Sequence, residues 1–107
     1  MPPHLPPLIQ RTLLRLVRSY SPERILLFGS HAKGTARAGS DYDLLVIANV
    51  GENRAAHLRR ARQLASDCFP PVDVVFATPR EVAEVATARS PFLQSILGSG
   101  ITVSSAP

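Results

Sequence analysis

Apolar residues follow two patterns along this chain, one recurring at helical spacing and one running unbroken over short stretches. Leu8, Ile9, Leu13, Leu16, Val17 and Tyr20 recur at helical spacing, with Arg11, Arg15 and Arg18 turned mostly outward, which predicts an amphipathic helix over 8–20. Ser21-Pro22 ends it. Ile25-Leu26-Leu27-Phe28 is a continuous apolar run that stops at Gly29 and reads as a buried strand. The stretch GSHAKGTARAGS over 29–40 is small, polar and glycine-punctuated, so it predicts a loop with room for one helical turn. Asp41 to Ala48 reads as a second strand, residues 49–53 as a turn, and the arginine-rich stretch up to about Cys68 as a helix closed by Pro70-Pro71.

Val72 to Phe76 has the β-branched and aromatic content of a third strand. Thr78-Pro79-Arg80-Glu81 has capping-box spacing with proline at the first helical position, so a helix starts at Pro79. Ser90-Pro91 opens another, for which Gly98 and Gly100 are stops, and Ile101-Thr102-Val103 forms a short edge strand. Alternating helices and strands imply an α/β layer structure, with helices packed over a small sheet.

The length of 107 residues predicts a single domain over 1–107, with the proline-rich residues 1–7 as a flexible arm and 104–107 as a frayed tail. Hydrophobic residues at 45% and charged residues at 19% exclude the composition of a disordered segment. Cys68 is the single cysteine, which excludes an internal disulfide, and no zinc-ligand spacing surrounds it. Arginines interrupt the first apolar stretch too often for a signal-peptide core or a membrane span, so a cytoplasmic protein with no membrane partner is expected. The formal net charge of +4 favours an anionic partner such as a nucleoside triphosphate, RNA or an acidic protein.

The chemistry concentrates between residues 29 and 73. In a strand, residues two apart share a face, so Asp41 and Asp43 present their carboxylates side by side. Such a pair repels itself unless neutralised, and Mg²⁺ is suited to the task because it takes oxygen ligands from carboxylates together with substrate phosphates. Asp73 lies inside the apolar run Val72–Phe76, where burial predicts that its charge is paired or bound to metal. If the second and third strands are neighbours, the three carboxylates share a sheet face and can hold two metal ions about 3.5–4 Å apart. Gly29-Ser30, where the backbone leaves a strand and enters a helical turn, points free N–H groups outward as a phosphate site. Lys33 and Arg37 in the same loop can neutralise triphosphate charge, and Ser40, directly before Asp41, joins Gly29, Ser30 and Lys33 in the candidate nucleotide-binding set.

Gly29-Ser30, then Asp41-x-Asp43, then Asp73 in an apolar strand resembles the signature of the DNA polymerase beta superfamily. The wording FGSHAKGTARAGSDYDLLV is similar in particular to the minimal nucleotidyltransferases of bacteria and archaea. The resemblance implies the nucleotidyltransferase fold, a small mixed sheet flanked by helices whose first three strands lie in order. It implies transfer of a nucleoside monophosphate, AMP first among them, from ATP or another triphosphate to a hydroxyl. Asp41, Asp43 and Asp73 would be the catalytic and metal-binding residues, with two Mg²⁺ ions or Mn²⁺ in their place. Relatives are often encoded beside a helical HEPN-domain toxin and act as its antitoxin, so a HEPN-type partner modified on a tyrosine is the implied setting. Small-molecule transfer of the aminoglycoside type is the alternative. Members often carry arginine where this chain has His31 and Lys33, a departure that keeps the charge at Lys33 and leaves His31 without a role.

Taken alone, Asp41-x-Asp43 fits solvated strand-edge residues after a turn and Asp73 fits a structural carboxylate bonded to backbone N–H groups; only the constellation points to metal. A Walker A loop is excluded because Lys33 precedes Gly34, and the glycine spacing excludes a dinucleotide fingerprint. Arg54, Arg59, Arg60 and Arg62 with His57 read as a solvated helix face, and with no interleaved aromatics they make nucleic acid an unlikely partner. A catalytically idle interaction module would gain nothing from clustering three like charges.

Overall fold

The computed structural model describes residues 5–51, 53–85 and 90–106. Helix α1 (Pro7–Tyr20) begins with proline in its first turn, where the missing N–H costs nothing, and ends at Ser21 in the left-handed region, whose N–H donates to the Val17 carbonyl at 2.9 Å. Strand β1 (Arg24–Phe28) follows and runs into a single turn of helix, α2 (Ser30–Lys33). Strand β2 (Tyr42–Ile47) is nearly continuous apolar sequence because both of its faces are covered. Helix α3 (Arg54–Leu64) is capped by Asn53, whose side-chain oxygen accepts from the Ala56 N–H at 3.2 Å.

Strand β3 (Val72–Ala77) leads into α4 (Pro79–Ala83), where Thr78 and Glu81 form the reciprocal capping box that their spacing predicts. Helix α5 (Pro91–Ser99) and strand β4 (Ile101–Ser105) complete the chain.

The sheet order is β3-β2-β1-β4, with β2 and β3 parallel and the other pairs antiparallel. This is the mixed α/β sheet with its first three strands in order. One face packs Ile25, Leu27, Leu44 and Val46 against Ile9, Leu13 and Leu16 of α1 and Ala61 of α3. The other packs Leu26, Leu45, Ile47 and Ala77 against Leu93 and Ile96 of α5. Each such aliphatic side chain, fully removed from water, stabilises the fold by roughly 1.5–3 kcal/mol.

Three expectations need correction. Within the arm expected over 1–7, Leu5 is buried in the core and Pro7 is helical, because the side of α1 that faces the sheet extends to its first turn. Residues 1–4 of that arm lie outside the described residues, as do Glu52 of the turn and Pro107 of the tail. Ser104 and Ser105 of the expected frayed tail belong to β4, and the Ala106 N–H donates to the Glu23 carbonyl at 2.9 Å. Helix α3 stops at Leu64 rather than near Cys68. The segment after it turns so that Asp67 meets Arg11 and Arg15 of α1, each at 2.9 Å, and the Cys68 sulfur packs 2.6 Å from the buried Thr12 hydroxyl.

Candidate active site

The open end of the sheet collects the site. Phe28 of β1 pairs with Asp43 of β2, and Asp43 pairs with Asp73 of β3, so the three side chains form a row across one sheet face. Asp41 lies just ahead of β2, exposed to solvent.

Asp43 is half-buried, and its carboxyl is pushed above the usual carboxylate range. Loss of solvent is the main cause, followed by the negative charges of Asp73 and then Asp41, while the His31 ring acts in the opposite direction. Both of the other predicted carboxylates therefore act on Asp43. Asp73, however, is exposed, not buried as its apolar sequence context suggests. It is the second residue of an edge strand, so register, not burial, is what brings it to Asp43.

Gly29 joins β1 to α2 at φ 75°, ψ −155°, a conformation that side chains disfavour. A Cβ there would lie 3.1 Å from the Asp43 Cγ, so the glycine also makes room for that carboxylate. The internal bonds of α2 begin with Ala32 and Lys33 N–H donating to the Gly29 carbonyl, both at 3.1 Å. The N–H groups of Ser30 and His31 lie ahead of the first of these bonds, at the positive end of the turn. Ser30 thus directly follows the glycine that packs against the Asp43 carboxylate.

Lys33 is exposed at the far end of α2, and the basic side chain that acts on Asp43 is His31 rather than Lys33. The Ser40 hydroxyl accepts from the Arg37 N–H at 2.9 Å, and the Ser40 carbonyl accepts from the His31 Nε2–H at 2.9 Å. Ser40 therefore closes the loop over α2. His31, which sequence reasoning left without a role, stacks on Tyr42 with centroids 3.7 Å apart and planes 9° apart. That stack and the Ser40 bond tie α2 to the start of β2, fixing Gly29 relative to Asp43. The sequence signal for it was slight: a ring two residues after the glycine and another just before Asp43.

Among the described residues, no three His, Cys, Asp or Glu side chains make a ready metal cage. The donor set fits a hard divalent cation shared with phosphate. Burial first and the neighbouring carboxylates second disfavour a bare charge on Asp43, and Mg²⁺ ordinarily uses one or two carboxylates plus substrate oxygens. Clefts of about 240 and 270 Å³ along α1 and β4 have no carboxylate in their lining and lie apart from this chemistry. No described helix is long and apolar enough to cross a membrane.

No curated protein matches the sequence. Among solved structures, the chain is similar to one described as a nucleotidyltransferase from Sulfolobus solfataricus, with 17% identity, a TM-score of 0.61, and coverage of 89% of this chain and 75% of that one. It is also similar to a chain of a toxin-antitoxin structure with AMP-PNP, at 23% identity and a TM-score of 0.54, covering 89% and 72% of the two chains. A mutant of the toxin-antitoxin pair MntA-HpeT gives 20% identity, a TM-score of 0.51, and coverage of 91% and 72%. At such identities these likenesses establish the fold. The sequence profile of the nucleotidyltransferase domain matches residues 9–97, from α1 through α5, and so the chain belongs to the nucleotidyltransferase domain family.

Proposed function

We propose that this domain transfers AMP from ATP to a tyrosine hydroxyl of a HEPN-type toxin partner and so acts as its antitoxin. The observation that carries the transfer chemistry is the Asp43–Asp73 register with Asp41 beside it and the Gly29 backbone against the Asp43 carboxylate. Gly29 and Ser30 hold the β and γ phosphates through backbone N–H groups, with the Ser30 hydroxyl as a further donor. Lys33 supplies positive charge at the loop's rim.

Asp41 and Asp43 would hold two Mg²⁺ ions, or Mn²⁺, between them, and Asp73 would hold the catalytic one. When bound, these ions neutralise phosphate charge and steady the attacking and leaving oxygens. Asp73 takes the proton as the acceptor oxygen bonds to the α phosphorus, and the bond from that phosphorus to the bridging oxygen breaks to release pyrophosphate. Catalysis of this kind is mostly positioning and charge stabilisation, which a small scaffold can supply.

Two of the similar structures are toxin-antitoxin complexes, one of them with AMP-PNP, and this supports a protein acceptor. The test is to mix the domain with the product of its neighbouring gene, ATP and Mg²⁺, and to look for a single AMP mass increase on one tyrosine peptide. The increase should vanish with Asp41→Ala plus Asp43→Ala. An unmodified neighbour together with an adenylylated aminoglycoside would replace the antitoxin reading with small-molecule transfer, and binding of the neighbour without any transfer would make the domain an interaction module.

A further inference from the structure

The row Phe28–Asp43–Asp73 has a second row beside it on the same sheet face. Leu45 and Val75 follow the two aspartates by two positions, pair with each other, and therefore lie about 7 Å further along the strands. They line a cleft of about 230 Å³ whose other walls include Phe92 and Ser90 at the start of α5 and the ion pair between Arg54 and Glu81.

Phe92 is the unusual member. It is 59% exposed, yet its ring is held perpendicular to that of Phe28, with centroids 5.9 Å apart. Phe28 is itself the register partner of Asp43. An aromatic ring is thus fixed in orientation, open to solvent, and set beside the carboxylate row. Packing alone does not account for this, since Leu93 and Ile96 already seal α5 to the sheet.

We propose that this cleft, with Phe92 as its platform, takes the nucleobase of the bound triphosphate. The inference rests on the nucleotidyltransferase reading of the carboxylate row. A triphosphate held at Gly29 and Ser30 with its α phosphorus by Asp43 carries its base one sugar length away, and the links to the cleft are the Phe28 ring, which pairs with Asp43 and touches Phe92, and Leu45, two positions along from Asp43. The volume is below the roughly 300–1,000 Å³ of a site for a whole drug-sized ligand, and it suits a ring system instead. A base has a π-face for Phe92 and an edge with donors and acceptors. The Ser90 hydroxyl, which accepts from the Leu93 N–H at 3.4 Å and still carries its own proton, lines the cleft as a donor for that edge, and Arg54 and Glu81, paired with each other, line it as well. Phe92 is accordingly a positioning residue, which orients the nucleotide without touching the reacting atoms.

The test compares ATP with inorganic tripolyphosphate, each with Mg²⁺, by calorimetry on the whole chain. Phe92→Ala is expected to weaken ATP binding about tenfold or more, as loss of a base-stacking ring does, and to leave tripolyphosphate binding within about twofold. Phe92→Tyr should keep ATP affinity, which separates loss of the ring from disturbance of α5, and an unchanged thermal midpoint for Phe92→Ala would exclude misfolding. Equal weakening of both probes, or wild-type ATP affinity in Phe92→Ala, overturns the subsite while leaving the phosphate site standing. Wild-type ATP affinity in Phe92→Ala combined with a raised KM for the acceptor would assign the cleft to the acceptor instead. Wild-type protein that binds neither probe removes the nucleotide reading itself, and the subsite with it.

Discussion

Replacing Gly29 with alanine tests the central geometry directly. The backbone there, at φ 75° and ψ −155°, lies in a region populated almost only by glycine, and forcing another residue into it costs about 1–3 kcal/mol. The added Cβ would also come within 3.1 Å of the Asp43 Cγ and closer still to its Oδ2. Asp43 must then rotate off its preferred geometry, at a further cost of about 0.5–1.5 kcal/mol. The sum is roughly 1.5–4.5 kcal/mol, and at about 4 °C per kcal/mol for a domain of this size the thermal midpoint falls by about 6–18 °C.

The two parts can be separated by a double-mutant cycle. In an Asp43→Ala background the carboxylate is gone and the nearest remaining Asp43 atom, Cβ, is at an ordinary 3.5 Å. Gly29→Ala should there cost only the backbone part, so the coupling between the sites is about 0.5–1.5 kcal/mol. Urea or thermal unfolding of the four proteins measures it. Equal cost in both backgrounds would refute the reasoning that the glycine makes room for Asp43, and no cost in either would refute the backbone argument as well.

Removal of metal should abolish tight ATP binding, because the carboxylates and phosphates otherwise repel; equal affinity in EDTA and in Mg²⁺, measured by calorimetry, would sink the metal-dependent reading. Asp73→Asn should abolish transfer in a mass-spectrometric assay while the far-ultraviolet spectrum and melting stay native, since the residue is exposed and the replacement keeps its shape. For Asp43 the folded-state pKa is raised, so its favourable contribution is complete below the ordinary carboxylate range and is lost as pH rises through the raised value. Asp43→Asn without metal should therefore melt higher than wild type at neutral pH, with the advantage shrinking as pH falls toward about 4, and a constant difference across that range would count against the burial and repulsion described. Leu44→Ala, at a fully buried position of β2, should destabilise the domain by about 2–5 kcal/mol in urea unfolding.

Local chemistry fixed much of the fold in the sequence itself. The helical period of Leu8 to Tyr20, the unbroken apolar runs at Ile25–Phe28 and Val72–Phe76, and the capping box at Thr78 each state a local preference that the surrounding structure agrees with. The candidate site was legible for a related reason: Gly29 needs its own backbone region, and the two-residue spacing of Asp41 and Asp43 lets alternation put them on one face. What a linear pattern cannot carry is register and exposure. Asp73 looked buried because its neighbours in sequence are apolar, yet β3 is an edge strand and Asp73 is exposed on it. Its place beside Asp43 comes from strand pairing, a contact between residues thirty positions apart in the chain. His31 and Ser40 are similar, because their roles depend on a loop folding back so that a ring stacks on Tyr42 and a carbonyl meets Nε2. Phe92 is the clearest case. In sequence it is an apolar residue at a helix start, and only the packing of α5 across the sheet turns it into an exposed ring beside the carboxylates.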